Sequence, residues 1–167
     1  MAAAYLPIPF CEHICFYCDF NKVFLEGQPV DEYVDALVKE MQLSKQLHPQ
    51  EEISTFYIGG GTPTTLNERQ LEKLLNGIRS TYSLPKGAEF TMEANPESFS
   101  LEKLKIMRDY GVNRLSMGVQ SFNNDILKKI GRIHTAEQVY TSVADARRAG
   151  FENMSIDLIF RLPNQTM

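Results

Sequence analysis

The sequence has no fourth cysteine. Its thiols, Cys11, Cys15 and Cys18, all lie in "CEHICFYC" and nowhere else. An odd number at so short a spacing excludes a secreted disulfide framework and points to a reducing, cytoplasmic setting. Any apolar run near the roughly 18 residues of a membrane span is also missing. The opening "MAAAYLPIPF" is apolar but has no basic n-region, so it reads as a strand and not as a leader. Positive charge is in deficit: 17 Lys+Arg against 21 Asp+Glu give a net charge of -4, and no nucleic-acid partner is expected. The phosphate-cradling pattern GxxxxGK is absent as well.

What is present is an ordinary globular composition, 43% hydrophobic and 23% charged over 167 residues. No linker or low-complexity segment divides the chain, so residues 1–167 read as one domain. Short β-branched and aromatic runs, "AYLPIPF", "TFYIG", "EFTMEA", "RLSMGV" and "MSIDLIF", predict strands over 4–10, 55–59, 89–94, 114–119 and 154–160. Between them, Val30, Val34, Leu37, Val38 and Met41 form one helical stripe. Leu71, Leu74, Leu75 and Ile78 repeat it, as do Val139, Val143 and Ala146. Thr135 with Gln138 and Asn67 with Gln70 have capping-box spacing, and Gly111 and Gly150 stand where helices end in a left-handed residue. The strings that follow those glycines, "GVNRLSMGV" and "GFENMSIDL", form a weak repeat of one helix-Gly-strand unit. Strands separated by helices predict an α/β fold with a parallel sheet, a barrel or half-barrel cut after about five βα units.

Buried structural thiols are one reading of "CEHICFYC", and a zinc site with His13 as fourth ligand is a second. Zinc fingers usually draw a second ligand pair from a distant segment, and His48 and His134 are isolated and read as surface residues. An iron–sulfur cluster fits better: three thiolates on a four-iron cubane leave one iron open to a substrate or cofactor. "YIGGGTPTTL" sets Gly59, Gly60 and Gly61 at the carboxyl end of the second strand, where bare backbone can approach a ligand. Glu93, Gln120 and Asp157 come from three successive strands at or near their carboxyl ends, the active face of barrel folds. Asp157 falls inside an apolar strand, where an unpaired carboxylate is costly.

The CxxxCxxC spacing resembles the signature of the radical S-adenosylmethionine (SAM) superfamily. "PFCEHICFYCDFNK", "YIGGGTPT", "EFTMEANPES", "GVNRLSMGVQSFNNDILKKIGRIHT" and "SIDLIFRLPNQT" are similar to successive blocks of its coproporphyrinogen III oxidase-like group. The resemblance implies a partial (β/α) barrel and a [4Fe-4S] cluster on Cys11, Cys15 and Cys18. SAM would bind the open iron, and one electron from the cluster would break a carbon–sulfur bond to give a 5′-deoxyadenosyl radical. By the same resemblance Gly60, Gly61 and Thr62 receive the SAM amino group, and Tyr5 and Tyr17 line the cofactor. Glu93 and Gln120 contact its polar groups, Arg132 pairs with its carboxylate, and Asp157 accepts from the ribose hydroxyls.

Two functions divide that group. The oxidases, which decarboxylate coproporphyrinogen III, carry a further Cys two residues after the third thiol; here it is Phe20. The Asp-Phe pattern is that of a heme-chaperone branch, which keeps the cluster and SAM sites and delivers heme to acceptor proteins. The implied partners are a low-potential electron donor of flavodoxin or ferredoxin type, heme or porphyrin, and a heme acceptor. A zinc module without radical chemistry is the third reading. Two residues depart from the group: Pro7 replaces a His before the cluster, and Arg161 replaces the Gly of "GLPNQT". If the backbone there has positive φ, the arginine costs about 1–2 kcal/mol, and its cation would sit beside Asp157. Members of the group are more than twice as long. The resemblance therefore implies the N-terminal part of a longer protein, with the later strands and heme-binding residues elsewhere.

Overall fold

A computed structural model describes residues 2–49, 52–162 and 165 of the chain. The elements run β1 (Ala2–Ile8), β2 (Phe10–Cys11), β3 (Val23–Phe24), α1 (Val30–Leu47), β4 (Ile53–Gly60) and α2 (Glu68–Thr81). They continue with β5 (Glu89–Ala94), α3 (Leu101–Asp109), β6 (Arg114–Gln120), α4 (Asn124–Lys129), α5 (Ala136–Arg148) and β7 (Asn153–Leu158). One wholly parallel sheet has the order β1-β4-β5-β6-β7, which is also the chain order.

Side chains alternate across that sheet, as the strand period of two requires. Leu6, Ile8, Phe56, Ile58, Phe90, Met92 and Leu115 face one way and are buried. Against them pack Val34 and Met41 of α1, Leu71, Leu74 and Ile78 of α2, Leu104 and Met107 of α3, and Ala146 of α5. The other face is polar. In register across it stand Tyr5, Tyr57, Thr91 and Arg114, then Glu93, Ser116 and Ser155, then Gly118 and Asp157. Helices on one side of a parallel sheet and polar groups on the other make the wall of a barrel, not a doubly wound layer. This is the expected half-barrel.

The helix punctuation is as the sequence predicts. Asn67 with Gln70 and Thr135 with Gln138 form complete capping boxes. Gly111 and Gly150, at φ 90° and 92°, close α3 and α5. In each, the glycine N–H and the next N–H bond back to the helix in the Schellman pattern: Gly111 to Arg108 and Val112 to Met107, Gly150 to Arg147 and Phe151 to Ala146. The weak repeat is therefore a repeated physical device.

The first strand is shorter at its carboxyl end than the sequence suggests. Pro9 has no N–H to continue the ladder, so β1 ends at Ile8, and Phe10–Cys11 pairs separately with Val23–Phe24. That small ribbon has no periodic signature and was not foreseen. Pro7 does not break β1: it sits on an edge strand in register with Gly59, and the Tyr33 hydroxyl donates to its carbonyl at 2.7 Å.

β7 forms the other edge of the sheet, with Ile156 and Leu158 exposed. Just beyond it Arg161 lies at φ 60°, the strained conformation foreseen for this position. Its guanidinium, expected beside Asp157, makes no ion pair with it among the described residues. Arg161→Gly should raise stability by about 1 kcal/mol, part of the relieved strain being offset by the freer unfolded chain. A higher urea midpoint would show it; an unchanged or lower midpoint would mean that the backbone carries no strain there.

Candidate functional site

The β2–β3 ribbon fastens both ends of the cysteine loop. Leu25 N–H donates to the Cys11 carbonyl and Val23 N–H to the Pro9 carbonyl, each at 2.9 Å. At its tip the loop is tied to the end of α4, where Phe16 N–H reaches the Ile130 carbonyl at 3.1 Å. All three thiols are free; Cys11 is buried, and Cys15 and Cys18 are half-buried. They border one cavity of about 120 Å³ at the carboxyl ends of the strands.

The glycine run brings its backbone to the same wall. Gly61 N–H donates to Ile8 and Thr62 N–H to Phe10, both at 2.8 Å, which seats the run beside Cys11. A Cβ on Gly61 would lie 2.7 Å from the Phe10 carbonyl oxygen, so only glycine fits there. Gly60, at φ 114°, donates its N–H to Glu93 Oε2 at 3.0 Å. Tyr57 holds the other carboxylate oxygen, its hydroxyl donating to Glu93 Oε1 at 2.7 Å. Burial and then that bond keep the Tyr57 phenol above its ordinary value, and so protonated.

A chain of polar contacts joins two of the thiols. Thr62 Oγ1 lies 3.7 Å from Cys11 Sγ, Asn95 Nδ2 donates to Thr62 Oγ1 at 3.1 Å, and Arg132 Nη2 donates to Asn95 Oδ1 at 2.9 Å. Arg132 Nη1 then reaches Cys15 Sγ at 3.6 Å. Burial raises the Cys11 thiol, and the Thr62 contact offsets part of that rise. Tyr17 is also pushed above its ordinary value, by burial against the opposing pull of Arg132.

Arg132 arrives there through the end of α4. Gly131 takes φ 76°, and the bonds Gly131 to Lys128 and Arg132 to Leu127 complete a third Schellman closure. The turn sends Arg132 back across the sheet, where it is buried, not solvated as a helix-end arginine usually is. Gln120 reaches the cavity by a different distortion. It has φ 67° at a register shift against β7, and its side-chain amide makes no hydrogen bond among the described residues. A strained non-glycine with an idle amide in a cavity is a mark of ligand contact.

Of the residues singled out in the sequence, Cys11, Cys15, Cys18, Tyr17, Gly60, Gly61, Thr62, Glu93, Gln120, Arg132 and Asp157 all border this cavity. Tyr5 does not. It stands one row lower on the sheet, stacked on Tyr57 at 5.9 Å, and borders a groove of about 360 Å³ between β1 and α1. Asp157 is exposed on the open polar face, so the burial cost expected for it does not arise. His134 was misread as a surface residue: it is 3% exposed, because the α4 closure folds it under β6. Tyr57, Asn95, Ser116 and Gly118 went unforeseen, since their parts depend on strand register. A Cβ on Gly118 would fall 2.9 Å from Asn95 Oδ1 and 3.0 Å from Gln120 Nε2, so this glycine keeps the cradle open.

The donor set suits the cofactors that the sequence implies. Three unpaired thiols share a wall with carboxylate, amide, guanidinium and bare glycine backbone. His13, the fourth ligand of the zinc reading, borders the cavity too; no three His, Cys, Asp or Glu among the described residues gather as a single ion would need. No helix among the described residues is long and apolar enough to cross a membrane.

Comparison with known proteins gives the family and the fold. The family model described as the radical SAM superfamily matches residues 5–167. The chain is 54% identical over 168 residues to the heme chaperone HemW of Bacillus subtilis (strain 168), covering 100% of this chain and 44% of that protein. It is 37% identical over 163 residues to the oxygen-independent coproporphyrinogen III oxidase of Salmonella typhimurium, covering 97% of this chain and 36% of the oxidase. The solved structure of the Escherichia coli coproporphyrinogen III oxidase HemN, a radical SAM enzyme, superposes with a TM-score of 0.91 at 37% identity over 98% of this chain and 38% of that one. The chain thus spans less than half the length of the curated relatives it matches.

Proposed function

The chain belongs to the radical SAM superfamily, and from that premise we propose that it forms the cluster- and SAM-binding part of a heme chaperone. The observation that carries this reading is the convergence of all three thiols with Glu93, Arg132 and the glycine run on one cavity. Cys11, Cys15 and Cys18 hold a [4Fe-4S] cluster and leave one iron for SAM. When bound, the cluster and SAM supply one-electron chemistry at a carbon–sulfur bond.

The side chains divide the work of holding SAM. Glu93, fixed by Tyr57 and by the Gly60 N–H, offers a carboxylate to the ammonium group, beside the Gly60–Thr62 backbone. Arg132 offers the carboxylate its Nη1 edge, while Nη2 is held by Asn95 Oδ1 and the Gly118 carbonyl. Gln120 supplies its idle amide, and Asp157 accepts from the ribose hydroxyls. Tyr17 packs on the cofactor from the cysteine loop, and Tyr5 acts one layer back by steadying Tyr57.

Phe20 favours the chaperone over the oxidase. Its ring, not a thiol, borders the cavity two residues after Cys18. Identity points the same way, at 54% to the Bacillus chaperone against 37% to the Salmonella oxidase. Heme itself, a heme-acceptor protein and a flavodoxin- or ferredoxin-type donor belong to the longer protein, and we place it in the cytoplasm, where free thiols persist.

Anaerobic reconstitution with iron and sulfide tests the cofactor reading. The expected product is brown, with about four irons per chain and a broad absorption band that changes on adding SAM. A colourless protein holding stoichiometric zinc would replace it with the zinc reading. Heme transfer against porphyrinogen decarboxylation, assayed in the longer protein, decides between chaperone and oxidase.

A further inference from the structure

Behind Arg132, away from the cavity, lie two ionisable side chains that the SAM site does not use. His134 is fully buried at its side chain, and Glu97 is 15% exposed there. His134 Nε2 lies 3.1 Å from the Val119 carbonyl oxygen. A carbonyl only accepts, so Nε2 carries the proton, and in the neutral ring Nδ1 is left as an acceptor. Arg132 Nε donates to that Nδ1 at 3.3 Å.

Glu97 Oε2 sits 3.2 Å from the same Nδ1. It is a buried oxygen that receives no hydrogen bond, because Nδ1 of a neutral ring has no proton to give. A buried carboxylate oxygen in that position is costly and needs a reason. Burial opposes its charge, yet the nearby Arg132 cation helps to hold the Glu97 carboxyl below its usual range. Its negative charge therefore lies on the Nε side of Arg132, against the same Nδ1 that Arg132 Nε reaches.

We propose that Glu97 and His134 are positioning residues for Arg132, clamping the Nε edge so that Nη1, the terminal nitrogen not already held by Asn95 and the Gly118 carbonyl, stays aimed at the carboxylate of SAM. The inference rests on the SAM reading above and adds two residues to it. His134 fixes the plane of the guanidinium through its bond to Nε. Glu97 supplies the counter-charge that keeps the cation seated before any carboxylate ligand arrives. Neither residue touches SAM, so their effect has to appear through Arg132 alone. That makes it specific to ligands with a carboxylate.

The test is titration of the anaerobically reconstituted chain with SAM and with decarboxylated SAM. His134→Leu fills the space but offers no acceptor. It should weaken SAM about tenfold, the worth of one charge-assisted hydrogen bond, and leave decarboxylated SAM unchanged. His134→Asn places an amide oxygen near the position of Nδ1 and should restore SAM binding to within about twofold. Equal loss of both ligands, unchanged SAM binding in His134→Leu, or no rescue by asparagine would each overturn the inference. Should His134→Leu lose its helix content, Glu97→Gln replaces it, with a loss confined to SAM expected and equal affinities for both ligands overturning. Failure of the unsubstituted chain to bind SAM would overturn the cofactor reading instead, and this inference with it.

Discussion

Cys15→Ala is expected to leave the protein folded and almost free of iron. The residue lies in a loop outside the apolar core, half-buried, with its Sγ on the cavity wall. Removing it costs no core packing, so the circular dichroism should match that of the unsubstituted chain. Two thiolates cannot retain a four-iron cubane whose fourth iron is already open, so iron should fall from about four per chain to near zero after desalting. Cys11 is a poorer site for this test. It is buried in β2, paired with Phe24 and in contact with Thr62, so its loss would disturb the ribbon as well as the cluster. Full iron content in Cys15→Ala would overturn the ligand assignment.

The fold was legible because its signals are local. Apolar periodicity placed α1, α2 and α5, β-branched runs placed the five sheet strands, and the capping boxes fell where Asn67 and Thr135 predicted them. The thiols, the glycine run and the strand-end residues Glu93 and Gln120 were legible for a related reason: each is an uncommon residue type in a position that chemistry rarely leaves idle. What the sequence could not show is the network that aims them. Asn95 links Thr62 to Arg132 only because β5 lies beside β6 and the α4 closure folds over both. His134 looked like a surface histidine because nothing in "GRIHT" records that a left-handed Gly131 turns the chain inward. Tyr57 reads as any strand tyrosine until the register sets it beneath Glu93. These are contacts across dozens of residues, and residue-by-residue pattern carries no distance.

Gly60→Val should separate SAM binding from iron binding. At φ 114° a β-branched residue is strained, so the backbone must rotate away. That rotation withdraws the N–H from Glu93 Oε2 and releases the carboxylate from one of its two anchors, leaving only Tyr57. The strain of about 1–2 kcal/mol and the lost charge-assisted bond together predict SAM binding weaker by about a hundredfold or more. Iron should be unaffected, because a side chain at Gly60 would meet the Ile8 backbone and the Tyr5 hydroxyl, not the Pro9 and Phe10 backbone that leads to Cys11. Gly61→Val makes the contrast: its side chain would drive into the Pro9 and Phe10 backbone that carries Cys11, so it should lose iron and SAM together. Equilibrium binding of SAM alongside iron analysis reads both quantities on each variant. Unchanged affinity in Gly60→Val, or loss of iron from it, would remove the glycine run from the SAM site.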